Sequence, residues 1–129
     1  MITKIRHDRQ KSKSLRKMAE ITLERLKETN TEKYPTNTLT DYYDVIHKLM
    51  EALGLTSGIK AKGEGAHQEL IDYIAKKYNF DEQTRLFLQQ MRNYRNRVSY
   101  EGFMVHRNYI ILNHGKIKNI IKKLFDKMG

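Results

Sequence analysis

Apolar residues recur through most of this chain at the spacing of an α-helix, and almost nothing interrupts them. The clearest run is Phe87, Met91, Tyr94 and Val98, at i, i+4, i+7 and i+11. Pro35 is the only proline, and seven glycines are spread over 129 residues. A chain with so few breakers folds into long uninterrupted elements, and at this periodicity those elements are helices. The length is that of one domain, enough to bury a core without disulfide or metal staples.

Five helical segments follow from the pattern. The first runs from about Lys4 to Glu28, with Leu15, Met18, Thr22 and Leu26 on one face. The second runs from about Leu39 to Leu53, on a stripe of Leu39, Tyr42, Ile46, Leu49 and Leu53 widened by Tyr43 and Met50. Thr38 or Thr40 suits its N-cap and Gly54 its end. Thr56 to Gly65 reads as a flexible loop. The third helix spans about Ala66 to Tyr78. Asp81 caps the fourth, which runs to about Ser99 and stops at Gly102. The fifth begins near His106 or Asn108 and reaches Met128; its Tyr109–Leu112 run has strand-like composition, but no partner run is evident, so helix is favoured. Short connections between these segments predict an all-α up-and-down bundle of four to five helices forming a single domain over residues 1–129.

Charge narrows the partners. The net charge is +10, from 25 basic and 15 acidic residues. The excess sits in three places: Lys4, Arg6, Arg9, Lys11 and Lys13 near the start; Lys116, Lys118, Lys122, Lys123 and Lys127 near the end; and Arg92, Arg95 and Arg97 within six residues. Concentrated cations favour a polyanion through counterion release, while a lysine-rich solvated surface is the plainer alternative. The chain has no cysteine, so thiolate metal sites and disulfides are excluded, and a reducing cytoplasmic setting is expected. No run is long and apolar enough to span a bilayer, so no membrane partner is expected.

Gly58 and Gly63 have the spacing of a phosphate-binding loop, but Glu64 and Gly65 follow in place of lysine and serine or threonine. His7, His47, His67, His106 and His114 show no paired spacing of a helical metal site. His114, on an apolar helix face, reads as a core histidine with a hydrogen-bonded ring. No cofactor and no metal are called for.

The segment Met91–Phe103 gathers three arginines, two asparagines and Tyr100 at one helix end. Arginine grips phosphate through two parallel bonds, asparagine orients, and tyrosine stacks on a base. A solvated flank whose cations suit the helix dipole is the alternative. The segment resembles the signature of the HEPN (higher eukaryote and prokaryote nucleotide-binding) family, in which an arginine and a polar residue precede a histidine near the end of a late helix. Arg95-Asn96 matches the first half, and Tyr42-Tyr43 with Leu49, Ala52 and Leu53 looks like the family's tyrosine-bearing second helix. The likeness extends loosely from Thr38 to Leu124. It departs where the histidine should stand, because this chain has Tyr100.

The resemblance implies a helical bundle acting on RNA, commonly as a homodimer with the motif residues meeting in a cleft. Many such proteins are metal-independent endoribonucleases, often toxins paired with a nucleotidyltransferase antitoxin. On that basis Arg95, Asn96 and Tyr100 would form the catalytic set, and Arg92 and Arg97 would bind RNA. Tyrosine, with a pKa of roughly 10, is ionised in only about one molecule in a thousand at pH 7, so the exchange for histidine weakens acid–base chemistry. Two alternatives therefore stand beside a ribonuclease: a non-catalytic RNA- or nucleotide-binding module, and a protein-interaction subunit.

Overall fold

The computed structural model describes residues 1–128. Its elements are β1 (Ile2–Lys4), α1 (Arg9–Lys27), α2 (Pro35–Thr56), β2 (Ile59–Ala61), α3 (Ala66–Lys77), α4 (Glu82–Glu101) and α5 (Arg107–Asp126). The protein is an all-α bundle with a two-stranded ribbon at one end.

The first expected helix begins five residues later than its composition suggested. Ile2–Lys4 instead pairs antiparallel with Ile59–Ala61, with Thr3 opposite Lys60. β-Branched residues suit such a ribbon. Asp8 then starts α1, its carboxylate accepting the Lys11 N–H at 2.9 Å. Three residues of the expected flexible loop, Ile59–Ala61, are accordingly strand. Gly58, at φ +77, turns the chain from α2 into β2 while the His7 ring and the Ile5 carbonyl lie against its Cα. No side chain fits there without strain.

α2 is the axis of the bundle, meeting α1, α3, α4, α5 and β2. It starts at Pro35, four residues before the expected start at Leu39. Proline's fixed φ and missing N–H suit the first helical turn, so neither Thr38 nor Thr40 is the cap. It also runs through Gly54, which was expected to end it. A Cβ at Gly54 would come within 3.0 Å of the Ile59 side chain, so the missing side chain lets β2 pack on the helix.

α1 lies along α2 on Ser12, Ala19 and Leu26, with the Ser12 hydroxyl donating to the Ala52 carbonyl at 2.8 Å. Small residues at the contact bring the two helices together. Met18, expected in the buried stripe, is 49% exposed, because the contact face is centred one residue further along.

α3 and α4 pair through polar bonds. Arg85 binds Asp72 at 2.8 Å, and the Gln89 amide donates to the Gln68 carbonyl and to Asp72, both at 3.0 Å. α4 starts as expected, with Asp81 accepting the Thr84 N–H at 2.7 Å, and Gly102 follows its last residue. α5 starts at Arg107, capped by the His106 ring, and the Tyr109–Leu112 run is helical. It returns along α2, where the His114 ring bonds the buried Tyr42 hydroxyl at 3.0 Å.

Candidate functional site

The second half of α4 carries the residues that the sequence singles out. Arg92 lies half-buried on the side that faces α3, its Nε donating to the Gln89 Oε1 at 2.8 Å. Gln89 is itself held by α3, so the guanidinium is placed rather than free. Arg95 lies one turn further on the same side, also half-buried. Both arginines act electrostatically on Tyr43 of α2 and His67 of α3, which locates the two cations where those helices meet.

Tyr43 and His67 belong to a larger cluster. His67 stacks on His47, with ring centroids 3.8 Å apart and planes inclined by 22°. Each imidazole is pinned at Nδ1: His47 by the Glu51 carboxylate at 3.0 Å, and His67 by the Tyr43 hydroxyl at 3.3 Å. Tyr43 is buried, which pushes its phenol well above the ordinary range despite the opposing pull of Arg92 and Arg95. Glu51 is held below the usual carboxylate range, first by its bond to His47 and then by the charges of His47, Lys11 and His67 against the cost of burial. It is an anion at neutral pH.

His67 is pushed down to about 4. Burial is the largest cause; His47, Arg95 and Arg92 lower it further, and Glu51 alone opposes them. Near neutrality the His67 ring is therefore uncharged.

A stability effect follows. An unfolded chain protonates His67 near pH 6.5, while the folded chain resists until about pH 4. Between those values the unfolded state binds the extra proton, so stability falls as pH drops through this window and is unaffected above it. After allowance for solvent screening at a partly exposed ring, the loss by pH 4.5 is about 1–2 kcal/mol. Urea midpoints at pH 7 and 4.5 measure it. His67→Asn should lose less on acidification than wild type, and an equal loss would show that the ring does not carry the effect.

Beside the stack lies a pocket of about 150 Å³ between α1, α2, β2 and α3, whose lining includes Lys11, His47, Glu51, Leu55, Ile59 and His67. A second hollow, of about 380 Å³, is lined by Arg9, Lys13 and Arg16 of α1 together with Lys127. Lys127, from the basic segment near the end of the chain, therefore meets Arg9 and Lys13 of the first basic segment on one surface. Arg9 and Lys11 both stand in the first turn of α1, about 200° apart, so Arg9 lines this hollow while Lys11 lines the pocket.

The other expected site residues fall elsewhere. Asn96 lies one turn beyond Arg92 and remains near the pair. The Arg97 guanidinium lies over the Phe103 ring at 4.1 Å, and its Nε is 3.6 Å from Glu101. Tyr100 is 82% exposed and sits about 140° round the helix from Arg95. Within one chain the structure gathers Arg92, Arg95 and Asn96 and leaves Arg97 and Tyr100 apart from them.

His47, Glu51 and His67 were missing from the set read from the sequence. One signal was present: Tyr43, His47 and Glu51 repeat at i+4 and draw a polar line along an otherwise apolar helix. Among the described residues, no three histidine, aspartate or glutamate side chains are disposed to share a metal ion, and no helix is long and apolar enough to cross a membrane. No family model matches the chain, and no match was found among curated proteins or solved structures.

Proposed function

We propose that this chain is an RNA-directed cytoplasmic protein of the HEPN type, in which Arg92 and Arg95 hold a backbone phosphate. The observation that carries the reading is the convergence of these two half-buried guanidiniums on the Tyr43–His67–His47 cluster. Two half-buried cations beside a neutral imidazole favour an anion, and a separate basic surface formed by Arg9, Lys13, Arg16 and Lys127 offers further contacts to a longer polyanion.

Binding fits this geometry better than cleavage by one chain acting alone, because Arg95 and Tyr100 diverge around α4. Cleavage through Arg95, Asn96 and Tyr100 requires a homodimer in which a second copy supplies the phenol. A toxin paired with a nucleotidyltransferase antitoxin is the second reading, and one observation favours it. Tyr100 is openly accessible for modification, whereas Tyr94 packs on Phe103 and Tyr109.

Fluorescence anisotropy with a labelled single-stranded RNA, in chelator and at low salt, tests the proposal. The expected result is saturable binding that weakens steeply with added salt. Absence of binding at low salt overturns the RNA reading. The same mixtures run on a denaturing gel separate binding from metal-independent cleavage.

A further inference from the structure

The pocket beside the histidine stack has a composition unlike the rest of the basic surface. Leu55, Ile59 and Leu70 supply apolar walls, the two imidazoles supply flat aromatic surface, and Glu51 supplies a carboxylate. Lys11 and Lys60 also line it, and both are exposed. Its volume of about 150 Å³ is roughly half that of the smallest pockets that take a drug-sized molecule. One planar ring system fits such a space, and a whole nucleotide does not.

A phosphate suits this pocket poorly. Glu51 is ionised and lines it, and the apolar walls offer an anion no solvation. A planar base suits it better. Aromatic surface and apolar contact reward stacking without regard to sequence, and a carboxylate that only accepts hydrogen bonds selects for donors. Glu51 uses Oε1 on His47 but retains the other oxygen, and a carboxylate has about four acceptor positions in all. Guanine is the base whose Watson–Crick edge offers two adjacent donors, N1–H and the 2-amino group. Uracil offers one N–H between two carbonyls, and adenine and cytosine each offer a single amino donor beside a ring-nitrogen acceptor.

We propose that the pocket bounded by His47, Glu51, His67 and Ile59 receives a guanine base splayed out of single-stranded RNA, with Glu51 accepting from its Watson–Crick edge. This rests on the RNA reading given above. Arg92 and Arg95 lie outside the pocket's lining yet act on His67, so a backbone phosphate held by them places its neighbouring base within reach of the opening. Lys11 and Lys60 then meet the phosphate on the other side of the sugar.

The test compares oligouridine of eight residues with the same oligomer carrying one central guanosine, by anisotropy on the full chain in chelator. The guanosine should tighten binding about tenfold, the scale of a bidentate contact to a base edge. Inosine, which lacks the 2-amino group, should lose most of that gain. The ratio of the two dissociation constants should fall to about one in Glu51→Gln, and also in Ala66→Leu, because Ala66 at the start of α3 lines the pocket and a leucine there fills it. A ratio near one in the wild type overturns the guanine pocket while RNA binding stands. A wild-type ratio retained in both variants overturns it as well. If neither oligomer binds, the RNA reading falls and takes this inference with it.

Discussion

Replacing Arg92 and Arg95 together by alanine should weaken binding of single-stranded RNA by about 30-fold or more at low salt, taking charge-assisted hydrogen bonds at about 1.5–3 kcal/mol each with allowance for solvent exposure. The salt dependence should flatten too. Each phosphate contact on a single strand contributes about 0.7 to the slope of log K against log salt, so losing the one phosphate that the pair holds removes about 0.7. Arg97→Ala should cost less than about threefold, because its guanidinium lies over Phe103 beside Glu101 and away from the other two. The contrast separates a placed pair from a general loss of charge. If the double variant and Arg97→Ala weaken binding equally, only net charge matters and the site is misplaced.

The double variant has a second readout that needs no RNA. Arg95 and Arg92 both lower the His67 pKa, which lies at about 4. Removing them should raise it toward the ordinary histidine value, though burial and His47 continue to hold it down. Titration of the histidine ring resonances by NMR measures the change. An unmoved His67 would mean that the arginines do not face the stack.

Helix periodicity made the bundle legible because long elements repeat their signal many times. α4 is the best case: its apolar stripe, the Asp81 cap and the Gly102 stop agree, and the structure follows all three. The ribbon was not legible, because three residues show no period and its two strands lie more than fifty residues apart in the chain. Pro35 and Gly54 were misread for a different reason. Both residue types break helices in general, but proline is compatible with a first turn, and a glycine inside a helix accommodates a neighbouring strand. The site divides in the same way. Arg92 and Arg95 stand three apart on one helix, so their shared face can be computed from sequence. His47 and His67 meet only because α3 folds back on α2, and no local pattern announces a tertiary stack. Tyr43 was read as apolar stripe, which its burial supports, but its hydroxyl also reaches His67.

The largest stability effect should come from Leu49→Ala on α2, a loss of about 2–5 kcal/mol. Leu49 is fully buried, on a helix enclosed by every other helix and by β2. Neighbours on several sides cannot all move inward, so the cavity stays largely open and the cost falls in the range for leucine deletions that relax only partly. Against a total stability of about 5–15 kcal/mol, that is a large share, and it should lower the melting temperature by about 10–20 °C. Met18→Ala on α1 should change stability by less than about 0.5 kcal/mol, since Met18 is half exposed. Urea midpoints for the two variants decide which face of α1 packs on α2. A loss at Met18 as large as that at Leu49 would place Met18 in the core, as the sequence stripe suggested, and contradict the packing on Ser12 and Ala19. Leu49 lies about 200° round α2 from His47, so its loss leaves the polar line of Tyr43, His47 and Glu51 in place. Folded Leu49→Ala should therefore keep the depressed His67 titration, and an ordinary value there would show that the stack depends on the tight packing of the core behind it.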